Sequence, residues 1–150
     1  GAADSVNRVR HLEGFKVGES VRAPDGRESR ILIRDNWGTD IVPELKPMAD
    51  DVVIYKHRFS GFYQTELDAT LKTLGAKHLV FTGCTTSVCV ESTIRDAMFR
   101  DYLPVLLADC TGEPVGHSFP RSNHEASLLV IKTLLGWVSG SDQFITALSA

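Results

Sequence analysis

Two apolar runs, HLVFTG at residues 78–83 and PVLLAD at 104–109, each next to a segment with helical spacing, constrain the fold of this chain most. Read as buried strands, they alternate with the helix patterns TELDATLKTLG (65–75), VCVESTIRDAMFRD (88–101) and PRSNHEASLLVIKTLLG (120–136). In the first helix Leu67, Leu71 and Leu74 share a face, Thr65 is the expected N-cap and Gly75 the stop. In the second, Val90, Ile94, Ala97 and Met98 form the apolar side. A shorter helix over 141–149 takes Ser141 as its cap, VVIYK (52–56) reads as a third buried strand, and SRILIRD (29–35) as a short one whose Asp35 opens a turn. Continuous apolar strands alternating with helices predict a parallel sheet covered on both faces, an α/β fold of three layers.

Ligand chemistry in such sheets collects at the carboxyl ends of the strands. Lys56 stands at one end, Gly83 to Cys89 at the next, and Asp109 with Cys110 at the third. Composition narrows the classes of function. At 150 residues, 43% hydrophobic and 23% charged, the chain suits one domain with a real core. A net charge of -3 offers no electrostatic reason to bind nucleic acid or an anionic membrane. The longest apolar stretch, near Leu128–Leu135, is interrupted by Lys132 and Thr133, and the N-terminal GAADSVNRVRHLEG lacks the regions of a signal peptide. Three cysteines is an odd count in a chain of this size, which points to a reducing, cytoplasmic setting without disulfides.

Cys84 and Cys89 sit five positions apart in FTGCTTSVCVESTIRDA. At the start of a helix, Cys89 would have its thiolate favoured by the dipole and by unpaired amides, and those amides can hold an oxyanion. A thiol, a cation at Lys56 and an amide-lined turn are the parts of nucleophilic acyl transfer. Spacing alone leaves equal weight on the alternative that both cysteines are small buried hydrophobes. The Cys-x4-Cys spacing is uncommon for zinc and no histidine lies at a partner interval, so no metal or other cofactor is expected. His11, His57, His78, His117 and His124 are scattered and read as surface or capping residues rather than catalytic bases. Trp37, Phe59, Phe62 and Tyr63 suit a pocket wall, though core packing is the commoner role for aromatic residues.

The segment TGCTTSVCVESTIRDA resembles the nucleophile signature of the isochorismatase-like cysteine hydrolases, G-x-x-T-x-x-C-V-x-x-T-x-x-D-A. The likeness extends to YKHRFSGFYQTELDATLKTLG and covers roughly residues 29 to 149. It implies a nucleophile at Cys89 and a catalytic lysine at Lys56. It further implies an oxyanion hole from the backbone N–H groups of Thr85 and Cys89, and a cis bond between Cys84 and Thr85. SGFYQT, RDAMFRDY and GWVSGSDQFITAL look most like the ureidoacrylate amidohydrolases of pyrimidine breakdown. That implies a small ureido or amide substrate, with selectivity from Trp37, Phe59, Ser60, Phe62 and Tyr63, and a dimer or tetramer. Other members act on N-carbamoyl amino acids, biuret, maleamate or nicotinamide, and a non-catalytic interaction domain is the alternative from another class.

The family's catalytic aspartate lies in an apolar-D-x-Q segment that these 150 residues do not contain, and neither Asp35 nor Asp109 matches its place. The expectation is a C-terminal part of a single isochorismatase-like domain, lacking its N-terminal β-α-β portion and inactive by itself.

Overall fold

The computed structural model describes residues 17–114 and 122–150. His11 and His117, the signal-peptide reading of the first residues and the start of the helix expected from 120 lie outside them. The chain divides after His57 into two compact units, and each is described by itself.

In the first unit, β1 (Ser20–Arg22) and β2 (Glu28–Arg30) form an antiparallel hairpin in which Val21 pairs with Ser29. Its turn is written in the sequence Pro-Asp-Gly. Gly26 adopts φ +87° and donates its N–H to the Ala23 carbonyl at 2.9 Å, while the Asp25 carboxylate accepts from the Arg27 amide at 3.0 Å. The strand expected over 29–35 stops at Arg30, because Leu32 and Asp35 both take positive φ, at 54° and 61°. Buried Ser29 fixes the chain that follows by donating to Asn36 Oδ1 and accepting from the Gly38 N–H, both at 3.2 Å.

The run 52–56 is not a strand. A parallel strand needs a neighbour for its backbone donors and acceptors, and among the described residues none pairs with it. Val52, Val53 and Tyr55 are exposed, with the Arg34 guanidinium 4.2 Å from the Tyr55 ring centre.

The second unit carries a parallel sheet of β3 (His78–Cys84), β4 (Leu103–Gly112) and β5 (Trp137–Ser139), with β4 in the centre. Its helices are α1 (Leu67–Thr73), α2 (Glu91–Met98), α3 (Asn123–Val130) and α4 (Ser141–Leu148). Ile94 and Leu106, both fully buried, pack with Val90, Ile131 and Leu135, and Phe81 and Val138 extend this core across all three strands. A second cluster, Phe62, Ala97 and Tyr102, receives Leu67, Leu71 and Leu79. Phe81 touches both clusters, so the helical face of the sheet is continuous. β3 is covered on this face only, where Leu79 and Phe81 are half-buried: Val80, which points to the other side, is 44% exposed.

Several ends differ from the sequence expectation for a physical reason. Thr65 precedes α1 rather than capping it; its hydroxyl donates to the Gly61 carbonyl and accepts from the Leu67 N–H at 3.3 Å. Leu74 lies beyond the helix and is exposed. Gly75, at φ +65°, ends the helix as expected. The long third helix is two pieces: α3, capped by Ser122 through the Glu125 N–H, and a π-helical turn over Ile131–Leu135. Gly136 then lets the chain pass so close to β4 that a Cβ there would collide with the Pro104 carbonyl oxygen. β5, which the sequence reading missed, follows at once.

Candidate active site

The candidate site is built on the carboxyl end of β3. Cys84 is the last strand residue, and the peptide bond from Cys84 to Thr85 is cis. Thr86–Val90 then form a π-helical turn that runs directly into α2, so Cys89 lies within the first turns of one helical run. The Thr85 carbonyl accepts from Val88 N–H at 3.1 Å and Val90 N–H at 3.2 Å. Cys84, Cys89 and Cys110 are all free thiols, with Cys89 half-buried and the other two exposed.

Polar groups from distant elements hold this turn. Thr86, fully buried, lies 3.1 Å from the Gly112 carbonyl and 3.0 Å from Nδ1 of His124. The Ser87 N–H donates to Glu113 Oε2 at 2.7 Å, a charge-assisted bond to one of the amides that a helix start leaves unpaired. Thr93 donates its hydroxyl to the Cys89 carbonyl at 2.6 Å and accepts from the Gly61 N–H at 3.0 Å. Glu91 accepts from Arg95 at 2.5 Å and from the Ser127 hydroxyl at 2.5 Å, joining α2 to α3. Ser87, Glu91, Asn123, Ala126, Ser127 and Val130 line an open cleft of about 270 Å³ between these helices.

Gly112 and Glu113 reach the turn because β4 is irregular. Between the pairs Phe81–Leu106 and Gly83–Thr111, two steps along β3 are matched by five along β4. The bulge carries Asp109 and Cys110. Asp109 accepts from the Ser141 N–H at 2.8 Å and from the Ser141 hydroxyl, which holds its carboxyl below the ordinary carboxylate range. Ser141 therefore does not cap α4; Gly140 occupies the cap position and Asp109 satisfies the helix start from the sheet.

The expected pocket residues differ in their immediate surroundings. Phe62 is a core residue, stacked on Tyr102 with ring centres 5.8 Å apart and covered by the Arg100 guanidinium at 5.0 Å. Buried Ser60 uses its hydroxyl to accept from the Phe62 N–H at 3.1 Å. Phe59 and Tyr63 remain exposed, Tyr63 beside Arg58. Lys56 and Trp37 belong to the first unit. There Lys56 is exposed at the end of the 52–56 segment, and the Trp37 indole N–H donates to the Glu28 carbonyl at 2.6 Å beneath Arg27. Among the described residues no three His, Cys, Asp or Glu side chains converge as a metal site, and no helix is long and apolar enough to cross a membrane.

Residues 12–143 match the family model described as Isochorismatase domain. The chain is 46% identical over 121 residues to "Ureidoacrylate amidohydrolase RutB" of Serratia proteamaculans (strain 568), covering 81% of this chain and 47% of that protein. It spans about half the length of the curated relatives it matches. Among solved structures, an isochorismatase-like hydrolase from Alkaliphilus metalliredigens superposes with a TM-score of 0.70 at 36% identity, over 77% of this chain and 60% of that one. A cysteine hydrolase from Pseudomonas syringae pv. phaseolicola 1448A gives 0.72 at 30% identity, over 79% and 59%. With its parallel sheet, its cysteine-bearing turn after β3 and a family match over most of its length, the chain belongs to the isochorismatase family.

Proposed function

We propose that this chain carries the nucleophile of a cysteine-dependent amidohydrolase that cleaves a C–N bond of a small ureido acid. The observation that carries the reading is the turn itself. Cys89 sits at the carboxyl end of a parallel sheet, at the start of a helical run, in a chain 46% identical to a ureidoacrylate amidohydrolase. In the proposed reaction the Cys89 thiolate adds to the ureido or amide carbonyl, and the Thr85 and Cys89 N–H groups receive the oxyanion. Collapse expels the amine or ammonia, which takes up the proton that the Cys89 thiol gave up, and leaves a thioester-like acyl-enzyme; water then hydrolyses it to the acid and regenerates the thiol. Lys56 supplies the positive charge that favours the thiolate. An aspartate outside these 150 residues completes the set, and the active protein is a cytoplasmic homo-oligomer containing it.

The test is ammonia release from a panel of ureido acids and simple amides, measured on the full-length protein. Cys89→Ala is expected to abolish turnover with the fold retained, and Cys84→Ala to preserve it. An essential Cys84 would refute the assignment, and turnover by the 150 residues alone would refute the need for the aspartate.

A further inference from the structure

The Thr86 hydroxyl has one proton and two partners that both need explaining. The Gly112 carbonyl, 3.1 Å away, can only accept, so that bond consumes the proton. The contact with His124 Nδ1 at 3.0 Å is then a hydrogen bond only if the imidazole donates into the hydroxyl lone pair. No water can substitute, because Thr86 is fully buried. From this geometry we infer that His124 carries its proton on Nδ1 and is a positioning residue for the Cys89 turn, acting through Thr86.

The ring comes from the first turn of α3, whose start is held by the Ser122 cap, so it approaches from a fixed element. Its bond closes a chain from α3 through Thr86 to the exit of β4. At the next residue of the turn, the Ser87 N–H bond to Glu113 ties a second point to the same exit. Two neighbouring residues of the turn are thereby fixed to Gly112 and Glu113, and His124 makes the first of these anchors three-way. The consequence for catalysis rests on Cys89 being the nucleophile: the amides of Thr85 and Cys89 flank this anchor, and their aim depends on it.

The test reads the anchor directly, on the full-length protein. Long-range 15N–1H correlation spectra at pH 8 should show the His124 ring protonated on Nδ1; a proton on Nε2 alone overturns the inference. Amide exchange at Val88 and Val90, whose bonds to the Thr85 carbonyl define the turn, should speed up about fivefold to tenfold in His124→Ala, the worth of one hydrogen bond. His124→Asn, which keeps a donor near Nδ1, should restore most of the protection, and amides of β4 should be unaffected in both. Unchanged exchange, a uniform loss across β4, or Asn behaving like Ala would each overturn the positioning role. Neither readout uses the thiol, so a failed Cys89→Ala experiment would leave this result standing. A proton on Nε2 alone would remove it with the proposed function intact.

Discussion

Thr93→Val tests whether the loop at Gly61 and the Cys89 turn are joined as the structure requires. Valine has threonine's shape, so packing is conserved while the hydroxyl is lost. Two bonds disappear, the one to the Cys89 carbonyl at 2.6 Å and the one from the Gly61 N–H at 3.0 Å. The second loss dominates. Gly61 is half-buried, and the Thr93 hydroxyl is the acceptor for its amide, packed beside it with Leu67 on the other side. An amide left unpaired in such a place costs about 1–3 kcal/mol, and the Cys89 carbonyl adds a few tenths, for a total near 2 kcal/mol. Urea unfolding followed by far-UV circular dichroism would read this as a lower midpoint at unchanged slope. Thr93→Ser keeps the hydroxyl and should cost about 1 kcal/mol or less, from its lost methyl. A valine variant within about 0.5 kcal/mol of the wild type, or a serine variant equally destabilised, would refute the reasoning.

Two further perturbations probe the frame around the site. Gly136→Ala drives a methyl into the Pro104 carbonyl, which is backbone and cannot rotate away; a loss of roughly 3 kcal/mol, the upper end for overpacking, is expected in urea unfolding, and a neutral result would mean that β5 can shift. Asp109→Asn removes the carboxylate that receives the α4 start. The folded carboxyl sits below its ordinary value of 3.8, so its contribution is present above that pH and lost as pH falls through the lowered value. The gap in urea midpoint between wild type and variant should therefore be open at neutral pH and close as the pH falls below 3.8 and through the lowered value; a gap independent of pH would refute the link.

Features whose cause is local were legible from residue order. The apolar face of α2 needs only the helical period, and Val90, Ile94 and Ala97 are buried as that period requires. The stop at Gly75 needs only a residue that accepts positive φ. The signature around Cys89 placed a turn at the end of a strand, and the turn is there. Thr93 lay inside that signature, so a signal for it existed without a role.

Features decided by partners far along the chain were not legible. The bond from Ser87 to Glu113 spans 26 residues and that from Thr86 to His124 spans 38, and no periodicity connects them. Ser141 carries the usual sign of a helix cap, yet a carboxylate 32 residues earlier takes its hydroxyl and amide instead. Phe62 can be read as pocket or, more commonly, as core from its type alone, and its place is decided only when Tyr102 and Ala97 are packed against it. The run 52–56 has the composition of a buried strand, but strand identity resides in the pair and not in the segment. The sequence by itself thus determined the alternation of elements, the buried helix face and the cysteine at the sheet's end, because each follows from neighbours within a turn or two. Only the tertiary structure decided what holds that cysteine in place, because every anchor of its turn from outside α2 comes from an element that folding alone brings near.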